Sequence, residues 1–131
     1  MFRRRFPATR RAARLARTAV VRQLQEWGEP TEAAAVVVAE LAANAVLHAQ
    51  VPGRSFEVAL VLLPRGPLRI EVTDTCGERV PSARPASPEA ESGRGLLLVE
   101  ALAVRWGVTL GPRPRKTVWA ELDEGSAPGT G

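Results

Sequence analysis

The sequence predicts an α+β fold, a two-layer sandwich in which helices cover one face of a mainly antiparallel sheet. Three observations predict it. An Ala-rich apolar stretch at residues 32–49 is too long for a buried strand and reads as a helix. Leu68–Asp74 alternates cleanly between apolar and polar, one short turn after an apolar run at residues 56–63. A second pair of strand-like runs, residues 105–110 and 116–122, follows a third helical stretch that opens at Gly95-Leu96.

Taken in order, residues 2–7 are compatible with a short edge strand that Pro7 ends. A helix follows from about residue 10 to 27, with Thr9 as its N-cap. Ala13, Leu15, Ala16, Ala19, Val20 and Leu24 form its apolar stripe, and Arg10, Arg14 and Arg17 lie on another side. Gly28 suits the left-handed position that closes it. Glu29-Pro30-Thr31 is a turn, and Thr31 caps the central helix. That helix is apolar on nearly every side, which places it in the core. Val51-Pro52-Gly53 ends it, and Pro64–Pro67 turns between the first two central strands, which form an antiparallel hairpin. Residues 75–93 hold Gly, Pro and Ser with little periodicity; a loop of that length reads as a lid or a disordered segment. Gly111–Pro114 turns between the last two strands. One domain is expected over 1–123, with a disordered tail at 124–131.

Composition narrows the function classes. The 131 residues suffice for one sizeable core. No apolar run approaches the roughly 20 residues of a membrane span, and no apolar segment follows the N-terminal Arg residues as in a signal peptide. A single Cys and a single His make neither an internal disulfide nor a zinc site. A cytoplasmic protein is the expectation. The net charge of +4 is unevenly placed: residues 1–22 carry eight Arg and no acid. Such an end suits an acidic protein, phosphate or nucleic acid. The Arg residues are not interleaved with aromatics and no recognition motif accompanies them, so a solvated helix face is preferred over nucleic-acid binding.

The chemistry sits in three places. Glu40, Asn44 and His48 recur four apart, so they form one line along the central helix. A carboxylate and an amide buried there are costly unless satisfied. Either neighbouring backbone satisfies them, or the line faces a ligand, with Asn44 giving an amide oxygen to a cation and Glu40 acting on a water or hydroxyl. Asp74 ends a strand; it serves an Asx-turn or accepts a hydrogen bond from an exocyclic amine such as adenine's. Ser92-Gly93-Arg94-Gly95-Leu96 opens a helix, where free N–H groups and close backbone approach suit phosphate; the bland reading is two glycines ending a loop. No G-x-x-x-x-G-K-[ST] occurs, and the third Gly of a dinucleotide fingerprint is missing.

In this order the pieces are more specific than any one alone: E-L-x-x-N-A-x-x-H-A on a helix, a strand ending in Asp74, a lid, G-R-G-L opening a helix, then a strand with Lys-Thr-Val-Trp. The arrangement resembles the GHKL ATP-binding fold of histidine kinases, gyrase-type ATPases and chaperones. It looks closest to the small anti-sigma-factor serine/threonine kinases, over about residues 2–122. The resemblance implies that Glu40 is the general base and that Asn44 binds Mg²⁺ and, through it, the phosphates. It implies that Asp74 reads the adenine amino group, with Gly77 and Val80 in the same box. Gly93, Arg94, Gly95 and Leu96 would wrap the phosphates, Thr117 would lie behind the adenine, and His48 would be a packed helix-end residue. Two departures stand out. The adenine box, Asp74-Thr75-Cys76-Gly77-Glu78-Arg79-Val80-Pro81, has one Gly fewer and one residue more than D-x-G-x-G-[IV]-P, and the phosphate loop lacks its third Gly. Neither a complete histidine kinase, with its dimerising phospho-acceptor helix, nor a gyrase-type machine with a second domain is expected from these residues. The implied function is an ATP- and Mg²⁺-binding regulator that transfers the γ-phosphate to a small antagonist protein. The alternative is a non-catalytic, nucleotide-sensing module that sequesters a sigma factor. The implied partners are a sigma factor or its antagonist, with homodimerisation open and no membrane. Arg10, Arg14 and Arg17 are the candidate partner-binding stripe.

Overall fold

Local chemistry starts and stops the first helix. Thr9 is extended, with φ −131° and ψ 158°, and its hydroxyl accepts the Ala12 N–H at 3.0 Å. Gly28, at φ 74°, ends the helix in the left-handed region, and its N–H donates to the Gln25 carbonyl. The computed structural model describes residues 1–48, 53–64, 66–74, 96–111 and 115–123. In chain order these form β1 (Phe2–Pro7), α1 (Arg10–Trp27), α2 (Glu32–His48), β2 (Ser55–Leu62), β3 (Leu68–Asp74), a helix over residues 96–102 (α3), β4 (Arg105–Leu110) and β5 (Lys116–Leu122). The expected lid at 78–92, the turn at 112–114 and the tail at 124–131 lie outside the described residues.

The strands make one five-stranded sheet in the order β1-β2-β3-β5-β4, antiparallel at every step. The N-terminal run is indeed an edge strand: Phe6 pairs with Phe56, their rings 5.6 Å apart, and Pro7 stands at its end. Period-two alternation turns Phe56, Val58, Leu60, Ile70, Val72, Val118, Ala120 and Leu122 to one face, where α1, α2 and Val99 of α3 cover them. α1 packs against α2 and β1, and α2 lies chiefly over β3. The result is the α+β two-layer sandwich that the periodicities predict.

Two details differ from the pattern read in the sequence. α1 buries Ala12, Ala16, Val20 and Leu24, a strict four-residue series, while Leu15 is 54% exposed. Leu15 stands about 100° around the helix from Ala16, beyond the narrow stripe that reaches the core; Ala12 supplies the close approach instead. α2 is not buried on every side either. Val36, Ala43 and Leu47 are exposed along one edge, because α1 and the sheet together enclose only part of its circumference.

The opposite face of the sheet carries charge. Arg69 donates to Glu71 and to Glu121, each at 2.7 Å, and Arg105 donates to Glu121 at 3.0 Å. These cover Glu121, which is buried although it faces away from the helices. Desolvation opposes the charge on Arg69, but the hydrogen bonds and charges of the two glutamates outweigh it and hold the guanidinium pKa above its ordinary value. Its Cζ also lies 4.2 Å from the Trp119 ring centroid.

Candidate functional site

The site is built on the flank of α2 that turns away from α1. α1 packs on the β1 side and α2 over β3, so that flank overlooks the β5–β4 end of the sheet. Glu40 and Asn44 lie there, one turn or about 6 Å apart along the axis. Both are half-buried, and among the described residues neither side chain makes a hydrogen bond or an ion pair. Of the two readings open for this line, the satisfied structural network therefore lacks its partners. An amide and a carboxylate held side by side without partners are free to engage something that enters. His48 ends α2, and its side chain lies outside what the structure describes.

Asp74 is the last residue of β3 and points to the helix-facing side, 2% exposed. Directly opposite it in the β3–β5 register stands Lys116, itself buried at 8%. Side chains so placed have Cβ atoms about 5 Å apart. Lys116 opens the Lys-Thr-Val-Trp strand, and motif reading assigns it no role, although a signal is present: Lys116, Val118, Ala120 and Leu122 alternate on one face, so an inward lysine follows from the same rule as the inward leucine.

Thr117 goes the other way. Its hydroxyl is 2.7 Å from that of Thr73, its cross-strand partner, on the sheet face opposite the helices. The structure thus does not bring Thr117 together with Asp74, Glu40 and Asn44, because neighbouring strand residues point to opposite faces. Leu96, half-buried, begins the described part of α3, and Val99 anchors that helix in the core. Gly77, Val80, Gly93, Arg94 and Gly95 lie outside the described residues. Arg10, Arg14 and Arg17 line a groove on the other flank of α2.

The donor set fits a nucleotide with a hard cation. An amide oxygen suits Mg²⁺, which takes few protein ligands and completes its shell with water and phosphate. Among the described residues no cluster of three or more His, Cys, Asp or Glu would hold a metal by itself. No helix among them is long and apolar enough to cross a membrane.

Helices over one face of an antiparallel sheet, with a buried carboxylate at a strand end and an Asn–Glu line on the covering helix, define an α+β two-layer class with polar groups on its covered face. The comparisons agree. The model of the histidine kinase-like ATPase domain matches residues 6–120, and the chain belongs to that family, a nucleotide-binding one. An uncharacterised protein of Streptomyces coelicolor is 48% identical over 58 residues, which is 43% of this chain and 54% of the relative; the matched part thus spans about half of that protein's length. Among solved structures, the chain resembles one from the SiaB–SiaC complex of Pseudomonas aeruginosa with a TM-score of 0.60 at 16% identity, over 93% of this chain and 90% of that one. At that identity the likeness speaks to the fold.

Proposed function

We propose that the protein is a cytoplasmic, ATP- and Mg²⁺-dependent serine/threonine kinase of the anti-sigma type, acting on a small antagonist protein. The observation that carries the reading is the Glu40–Asn44 pair, without partners among the described residues, on the flank of α2 that overlooks the β5–β4 end. Bound Mg-ATP would supply the γ-phosphoryl and the charge that neutralises it; phosphoryl transfer otherwise needs mainly positioning. Asn44 would hold the cation through its amide oxygen. Glu40 would accept the proton of the antagonist's hydroxyl as that oxygen bonds to the γ-phosphorus and the β–γ bridging bond breaks, leaving ADP. Asp74 would accept a hydrogen bond from the adenine amino group, and Gly93–Leu96 would wrap the phosphates.

One observation favours a second reading. Lys116 faces Asp74 across the sheet, so a buried cation is placed to compete with adenine for the same carboxylate. Together with the altered adenine box, this suits a nucleotide-sensing module that sequesters a sigma factor without turnover.

Titration calorimetry with Mg-ATP and transfer of labelled phosphate to a candidate antagonist separate the two. Asn44→Ala should lose Mg-ATP affinity and activity together. Glu40→Gln should retain affinity and lose transfer by about 10²–10⁴-fold, the usual span of general-base help. Transfer at the wild-type rate in Glu40→Gln would remove the base. A wild-type protein that binds Mg-ATP, holds a sigma factor and phosphorylates nothing would establish the second reading.

A further inference from the structure

We infer that the groove between α1 and α2 is the docking site for an acidic amphipathic helix of a protein partner. The groove has a volume of about 670 Å³. Its rim is Arg10, Arg14 and Arg17 of α1, and its floor includes Ala39, Ala43 and Leu47 of α2. Ala39 immediately precedes Glu40 and Ala43 immediately precedes Asn44, so the floor lies about 100° around α2 from the Glu40–Asn44 line. Groove and nucleotide site therefore occupy different flanks of one helix.

The arginines do nothing for their own helix. Arg10 sits in the first turn of α1, where the helix dipole disfavours a cation and where no acid compensates it. Arg10 and Arg14 repel each other one turn apart. None of the three makes an ion pair among the described residues. Three cations in a row beside an apolar floor call for carboxylates beside an apolar face. From Arg10 to Arg17 is about 10 Å along the axis. A helix with acids at i, i+4 and i+7 repeats that spacing and turns an apolar stripe to the floor. The small side chains of Ala39 and Ala43 let its backbone come close, as helix-in-groove recognition requires. A second copy of this chain fits badly, since a two-fold contact through α1 would set arginines against arginines.

The inference rests on the regulatory reading only for the kind of partner. The test uses the whole chain and a fluorescein-labelled designed peptide, with Leu on one helical face and Glu at i, i+4 and i+7. Its controls are the same peptide with Lys for Glu and a 20-base-pair DNA duplex. Binding of the acidic peptide should weaken with salt, and Arg14→Glu and Arg17→Glu should each weaken it at least tenfold. Methyl NMR should show shifts at Ala39, Ala43 and Leu47. Affinity for ADP should be the same in wild type and both variants, so loss of the groove and loss of the nucleotide site read out separately. No peptide binding, binding that neither variant weakens, shifts centred on Val72 and Val118 instead, or tighter binding to the duplex than to the peptide would each overturn the assignment. Thermal melting of both variants checks that they fold; should one fail, the other carries the test.

Discussion

The Asp74–Lys116 pair is the sharpest point at which fold and site meet. Asp74 is 2% exposed and Lys116 8%, on facing positions of β3 and β5. Facing positions set the Cβ atoms about 5 Å apart; for charges at a similar separation and an effective dielectric near 20, Coulomb's law gives roughly 3 kcal/mol of attraction. Asp74→Asn keeps the shape, removes the charge, and leaves Lys116 buried with less compensation; breaking such a pair from one side costs about 3–5 kcal/mol. Lys116→Met should cost a comparable amount. The double variant replaces both charges and should be less destabilised than the two single losses add up to, by about 1–3 kcal/mol, the range of direct coupling. Urea denaturation of all four proteins measures it. A coupling below about 0.5 kcal/mol, the additivity limit for independent sites, would refute an interaction across the strands. The same cycle bears on the ligand. In calorimetry, Asp74→Asn should weaken ATP binding by roughly 1.5–3 kcal/mol if the carboxylate reads the adenine amine. Lys116→Met should tighten it, because a competitor for that carboxylate is gone. If Lys116→Met instead abolishes binding, the lysine is a ligand group and not a competitor.

Other substitutions probe the frame. Thr9→Ala should cost about 1 kcal/mol in urea by removing the cap on the Ala12 N–H, while Thr9→Ser should stay near wild type; equal midpoints for all three would mean that the hydroxyl does not cap α1. Gly107→Val places a Cβ 2.8 Å from Cζ2 of Trp119, whose ring also lies under the Arg69 guanidinium. Overpacking of about 1–3 kcal/mol should outweigh the better strand propensity of valine. A lowered urea midpoint with altered tryptophan emission is the expected result, and a stabilised protein would show that the ring moves freely aside.

Much of this was legible in the sequence because the signals are local. Thr9 and Gly28 bound α1 through their own hydroxyl and backbone torsion, and Leu68–Asp74 announces its inward face by alternation. The four-residue spacing of Glu40, Asn44 and His48 placed them on one line before any packing was known. Periodicity groups residues by face, but it does not say which face is covered or by what. That required the whole fold. Only the insertion of β5 between β3 and β4 sets Lys116 opposite Asp74, a pairing across 42 residues of sequence. The same pairing turns Thr117 away from the helices and brings Arg69 and Arg105 together over Glu121. Likewise, α2 looks equally apolar on every side as a string of Ala and Val. The placement of α1 beside it divides that surface into a buried core face, a groove edged by arginines and a flank where Glu40 and Asn44 stand without partners among the described residues. Caps and periods depend on neighbours a few residues away, so the chain alone determined them; partners and exposed flanks depend on which distant elements pack together, so the tertiary structure decided those.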